Sequence, residues 1–452
     1  MKCTEEQACA LRDQNRPNKI FFDFDNWTFR YGLYCDKAAY RANCKTFLLV
    51  LNTIICLILL VSADIIGRRK LMMVASVLVI VGISITALSP DFGLKMAGLG
   101  LVSGGEGTFS ALFTIYINEN TMRSTKLRSS LISLCFLSYA IGCIFLNSIA
   151  YLTTNPNILA LIVAASLIVS VVPAFFSYYE TPYFLLKKGR ISDLFRTLIN
   201  IYKYNQGKQG VDDTLLIGVE NKLLEMMGFG IHITQKTFFK SSVVQFIKKR
   251  NKEYSHTNTI GRLCCNGRYV YHVLTLMLIG GLLYCLFYGM SINIQDLGLK
   301  DLKLNGILLG ATQAAGYLGV APFTHRMRRK KWCIVFQVLL LLGAVILSVL
   351  SKETQTSLVQ FEQTITSTCL MATIMSAIFP IFFIYITEIF PTEVRGTANA
   401  IVLFMAKLAG SLAPILESFS VSLGFHILVG CSVIVLASLP MTFFMRETLL
   451  EK

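Results

Sequence analysis

Charge is scarce in this chain. Acidic and basic residues together make up 15% of 452 positions, with 26 Asp or Glu against 42 Lys or Arg. With 54% apolar residues and a mean hydropathy of +0.59, an ordinary water-soluble domain is excluded. The five histidines (His232, His256, His272, His325 and His426) are scattered and read as structural. No zinc-type His/Cys spacing is present, and neither is a phosphate-binding glycine-lysine loop or a nucleophile elbow. The chain therefore does not read as an enzyme, and no metal or cofactor is expected. The net charge of +16 comes without base-reading or stacking elements, so nucleic acid is not an expected partner either.

What remains is long oily runs. Eleven apolar blocks lie near 46–63, 71–89, 92–117, 129–151, 157–179, 270–290, 304–324, 332–350, 366–387, 396–416 and 422–445. About 20 apolar residues match the bilayer core, and a helix satisfies its own backbone there. The expectation is an all-α polytopic protein with the lipid bilayer as its solvent. The positive charge falls in alternate links. Fifteen Lys or Arg face seven Asp or Glu in 180–269, and the links 64–70, 119–128 and 325–331 are also basic. Such a bias assigns these links to the cytoplasm.

Two charge patterns recur between the oily runs. The first half carries Asp64, Gly67, Arg68, Arg69 and Lys70, then Glu119 with Arg128, then Glu180-Thr181-Pro182. The second half carries His325 to Lys331, including Arg329, then Glu388 to Arg395, then Arg446-Glu447-Thr448. Corresponding members lie about 260 to 270 positions apart, which marks a duplication. Membrane proteins of two parallel repeats are commonly transporters with a site between the halves. Asp64, Gly67, Arg68, Arg69, Glu119, Arg128, Arg329, Glu388 and Arg395 are the expected gating residues, as charge pairs that latch one state of a two-state equilibrium. The plainer alternative is that they anchor helix ends and fix topology.

The expected organisation is an outer segment 1–45, a transmembrane bundle 46–179, a basic cytoplasmic loop 180–269, a second bundle 270–445 and a tail 446–452. The outer segment holds Cys3, Cys9, Cys35 and Cys44 as disulfide candidates, with three pairings open, and an acceptor for glycosylation at Asn26. Both favour the cell surface. On the basic side Cys264 and Cys265 precede a helix, open to S-acylation or of no special role. An outer segment at the very start lacks the features of a signal peptide, and Asp23 and Asp25 interrupt Phe21, Phe22 and Phe24. Five blocks precede the loop and six follow, so a first helix is expected to be missing.

Ionisable residues in the middle of oily blocks cost about 2.5–3.5 kcal/mol and face a cavity or a partner. Lys407 and Glu106 are such residues. They either offer charge to a ligand or pair with each other, and Glu106 could instead carry a coupling proton. Gly104, Gly105 and Gly107 around Glu106 suit close helix packing. Tyr284, Phe287 and Tyr288 share one helical face and could line a cavity. Gln313, Tyr139, Asn147 and Phe383 are further candidates.

Several runs carry a family resemblance. They are Trp27 with Tyr34-Cys35-Asp36-Lys37, Asp64 with Gly67 to Lys70, Tyr288 to Asn293 with Leu304-Asn305-Gly306, and Thr387 to Arg395. Over nearly its whole length the chain resembles organic cation and anion transporters of the major facilitator superfamily. The resemblance implies two pseudo-symmetric six-helix bundles, with eleven transmembrane helices here, and a small organic ion as substrate. Lys407 matches a position basic in many anion carriers, which favours anions. A single copy would suffice. Ile65, His325 and Arg328 depart from the family pattern, and Lys95 stands near a missing arginine. Coupled symport of a sugar or other metabolite, and a sensor or scaffold that no longer transports, are the alternatives.

Overall fold

The computed structural model describes residues 31, 38–121, 124–153, 155–177, 179–188, 259–292, 302–352, 358–390 and 394–413, with isolated positions in 190–201 and 436–447. These residues are all-α. The first half comprises α1 (Ala38–Ile66), α2 (Arg68–Leu88), α3 (Phe92–Asn120), α4 (Thr125–Leu152) and α5 (Pro156–Ser177). Two short helices, α6 (Pro182–Lys187) and α7 (Thr259–Cys265), flank the basic loop. The second half comprises α8 (Gly267–Ile292), α9 (Leu302–Val320), α10 (Arg329–Lys352), α11 (Leu358–Ile389) and α12 (Arg395–Gly410). Ten of the eleven expected blocks are thus long helices, while 422–445 falls almost wholly outside the described residues. The helix α1 begins at Ala38, eight residues before its apolar span Thr46–Ile66. Cys44 is a free thiol on α1. Asn26, Cys3, Cys9 and Cys35 lie outside the described residues.

Local chemistry sets the helix ends. Asp91 caps α3 by accepting from the Leu94 amide at 3.0 Å, and Ser124 caps α4 by accepting from Leu127 at 3.2 Å. Gly67 alone separates α1 from α2, at φ 113°, a conformation open to glycine and strained for any side chain. Five described helices are long and apolar enough to cross a membrane: Thr46–Ile66, Arg68–Leu88, Thr125–Leu152, Gly267–Tyr288 and Cys369–Ile389. Their outward faces carry bare hydrophobics such as Ile58, Val74, Phe145, Leu274 and Leu370, which suits lipid and not water.

Small residues let the helices close up. A Cβ on Gly82 would stand 2.6 Å from the Gly98 carbonyl, and one on Gly105 would stand 2.7 Å from that of Ala75, so α2 and α3 touch backbone to backbone. Two seams join the halves: α1 packs along α12, and α4 along α9. Shifting first-half numbers by about 260 to 270 carries α1 onto α9 and α4 onto α12, so the two seams are images of each other.

Candidate functional site

Buried charge gathers at the basic ends of the helices. The Arg68 guanidinium is 4% exposed and donates to Glu119 Oε1 at 2.9 and 3.2 Å and to Asp64 at 2.9 Å. Its ring-facing side lies 5.0 Å from the Phe184 centroid. The other oxygen of Glu119 accepts from Thr181 Oγ1 at 2.6 Å. Glu180 accepts from the Arg68 and Arg69 amides at 2.9 and 3.3 Å, closing the positive end of α2. Glycine is required twice over at 67, because a Cβ there would stand 2.4 Å from Glu180 Oε2.

The second half repeats this with changes. Arg329, fully buried, donates to Glu388 Oε2 at 3.3 Å as Arg68 does to Glu119. With His325 in place of the acidic residue, its remaining donors turn to the Thr324 and Met327 carbonyls and to Ser129 Oγ of the first half at 3.5 Å. The other oxygen of Glu388 accepts from Arg128 of the first half, and no ion pair joins Glu388 to Arg395 among the described residues. Arg395, the image of Arg128, instead donates to the Phe390 carbonyl of its own half at 3.2 Å. Asp64 faces α12 across the other seam, accepting from Thr397 Oγ1 at 3.4 Å. At Gly396 a Cβ would lie 2.6 Å from that carboxylate, which would have to shift. These contacts clamp the basic ends of the halves together.

Midway along α1 and α3, buried polar side chains of the two halves meet. The Lys407 ammonium, 5% exposed, reaches from α12 into the first half and donates to Asn52 Oδ1 at 3.2 Å, with Cys56 Sγ at 3.7 Å. It rests on Gly107, where a Cβ would be 2.4 Å from both Lys407 Nζ and Asn52 Oδ1. Gly107 therefore seats a cation, whereas Gly104 and Gly105 serve packing against Ile55 and against Ala75 and Val79. Next to Gly107, the Glu106 side chain is exposed. No ion pair joins it to Lys407 among the described residues, although the two charges lie within electrostatic reach.

Aromatic rings pack nearby across the halves. Phe287 lies 6.1 Å from Tyr139 across the halves and 5.3 Å from Phe379, which stands 5.4 Å from Tyr284. Phe136 of the first half meets Phe383 at 5.0 Å and Tyr317 at 5.6 Å. Sequence reasoning missed Asn52, Cys56, Phe136, Tyr317 and Phe379. The spacing of Asn52 and Cys56, polar and one turn apart on an oily helix, was the available signal for the lysine seat. Asn147 donates to the Cys143 carbonyl and packs on Gly306 in the α4–α9 seam. Gln313 and Phe383 are buried. Lys95 is fully buried, donating to the Thr86 carbonyl at 2.7 Å and to Asn157 at 2.9 Å, so it ties α3 to α2 and α5.

Comparison with known proteins agrees with this architecture. A curated relative, "Solute carrier family 22 member 15" of Xenopus tropicalis, is 24% identical over 364 residues. That match takes in 79% of this chain, which spans 60% of the relative's length. The solved proton:xylose symporter XylE, bound to 6-bromo-6-deoxy-D-glucose, superposes with a TM-score of 0.64 at 18% identity, covering 91% of this chain and 86% of its own. The human organic anion transporter MFSD10 (TETRAN) superposes with a TM-score of 0.60 at 14% identity, covering 97% and 92%. These neighbours are transporters, not enzymes. The model of the Major Facilitator Superfamily matches residues 47–414, and the chain belongs to that superfamily of multi-pass membrane transport proteins.

Proposed function

We propose that the protein carries small organic ions across a membrane by alternating access, with anions favoured, and that the substrate lodges around Lys407, Glu106, Tyr284, Phe287 and Tyr288. One observation carries the proposal. In the last turn of α12 the Lys407 ammonium is held by the neutral Asn52 amide and Cys56 thiol, with no carboxylate in ion-pair contact with it among the described residues. In a medium of low dielectric such a charge attracts an anion strongly. The rings of Tyr139, Phe287 and Tyr288 supply flat apolar walls that accept varied organic bodies. The similarity to a solute carrier of family 22 supports carriage of a small molecule.

The charge clusters at the basic ends act in this reading as the latch of the state closed on that side, which the positive bias assigns to the cytoplasm. The cell surface is the proposed location. Uptake of labelled organic anions by cells expressing the full-length protein tests the proposal. Lys407→Ala should abolish uptake with surface expression intact. An unchanged anion preference in Lys407→Asp refutes the charge argument, and ligand binding without flux under any gradient points to a sensor.

A second reading, proton-coupled symport, rests on Glu106. Its side chain makes no hydrogen bond or ion pair among the described residues, which leaves the carboxylate open to carry a proton. Uptake would then rise as outside pH falls, and Glu106→Gln would make it flat with pH. Equal pH dependence in the variant removes this reading.

A further inference from the structure

Nine cysteines lie within the described residues, and Cys264 and Cys265 are the exposed pair; the rest are buried or half-buried. They end α7, the short helix that leads into α8 on the basic side. Leu263, immediately before them, is 3% exposed and belongs to the same core cluster as Leu276, Ile279 and Ala406. Successive helical residues point about 100° apart, so burying Leu263 turns the next two side chains outward. The link that follows is tightly built. Asn266 Oδ1 accepts from the Arg268 amide at 3.2 Å, and its carbonyl accepts from Tyr269 and Val270 at 2.9 and 3.1 Å. Cys264 to Arg268 thus form an unbroken exposed stretch at the foot of a membrane-crossing helix.

The surface just beyond is oily. Tyr271, Leu274 and Leu278 on α8 are 42%, 54% and 50% exposed. Their spacing of three and four makes one stripe that runs from the link into the bilayer layer. Two free thiols therefore stand where water meets lipid, at the start of a bare apolar track. Neither the ion network nor the Lys407 seat uses them.

We propose that the Cys264–Cys265 pair is a site of S-acylation by a long-chain fatty acid, whose tail lies in the lipid along the Tyr271–Leu274–Leu278 stripe. The co-reactant is a fatty acyl-coenzyme A, supplied through a membrane acyltransferase. The cysteine sulfur attacks the acyl carbonyl and a new carbon–sulfur bond forms. The bond to coenzyme A breaks, and coenzyme A leaves as a thiol with the proton the cysteine gives up. The two exchanged bonds are both thioesters, so no oxidant or reductant is needed. An acyl chain here would pin α7 to the membrane surface at the point where the basic loop enters the second half.

The site is independent of whether the chain carries a substrate, and so is its test. The full-length protein is expressed in cells fed an alkyne-bearing palmitate analogue, then captured and treated with neutral hydroxylamine, which cleaves thioesters and not amides. Hydroxylamine-sensitive label on the wild type, falling to background in Cys264→Ser/Cys265→Ser and unchanged in Cys44→Ser, supports the proposal. Replacement of thioesters by a mass tag should add one or two tags to the wild type and none to the double variant. A wild type without hydroxylamine-sensitive label, or a double variant labelled as strongly as the wild type, overturns it. Both serines are exposed and isosteric with the thiols, so surface expression should match the wild type and keep the comparison valid.

Discussion

Asn52→Asp places a carboxylate against the Lys407 ammonium without changing the shape of the seat. The amide oxygen it replaces lies 3.2 Å from Lys407 Nζ. Opposite charges at that separation attract by about 5 kcal/mol at an effective dielectric of about 20. Desolvating the new carboxylate in a buried site costs several kcal/mol and offsets most of this. A net of about 1–2 kcal/mol then holds Lys407 in its seat and cancels its field. Since about 1.4 kcal/mol is tenfold in an equilibrium constant, the KM for an anionic substrate should rise about tenfold, with little loss of the maximal rate. Uptake of an organic cation should hold steady or increase. Initial-rate uptake of an anion and a cation by the same cells, normalised to surface protein, measures both. A structural defect would lower the two together. An unchanged ratio of anion to cation uptake, at normal surface level, refutes the view that Lys407 recognises substrate charge.

Other outcomes follow from the ion network. Gly67→Ala forces a side chain into a left-handed backbone and against Glu180, at a cost of about 1–3 kcal/mol. The thermal midpoint of the detergent-purified protein should fall, and an unchanged midpoint contradicts the steric account. Glu388→Gln leaves Arg128 and Arg329 without their shared carboxylate, and breaking a buried pair costs about 3–5 kcal/mol. The state closed at the basic ends should lose population. Ser129→Cys, fully buried beside this cluster, should then react with an impermeant thiol reagent at least about tenfold faster in inside-out vesicles; equal rates with and without Glu388→Gln argue against a latch.

The duplication shows how far the linear pattern reaches. Arg68 and Arg329, Glu119 and Glu388, and Arg128 and Arg395 are paired by spacing alone, and each first-half member has a second-half image in space. Spacing does not reveal whom each residue touches. Glu388 and Arg395 lie close in sequence, yet Glu388 takes Arg128, 260 residues away. Arg395 turns to a carbonyl of its own half. Guanidinium groups on long stems reach several acceptors, and only the approach of the two halves selects among them.

The sequence by itself determined the class of the protein, its oily helices, its repeat and the gathering of positive charge in alternate links, because these follow from composition and from the thickness of a bilayer. Lys407 and Glu106 were legible as exceptions to an apolar background. Only the tertiary structure decided that they do not pair. It seated Lys407 against Asn52, Cys56 and Gly107, residues whose polar role depends on a helix from the other half arriving beside them. The aromatic wall formed by Phe136, Tyr317 and Phe379 was hidden for the same reason. A phenylalanine in an oily helix carries no mark of which face it occupies until the halves meet.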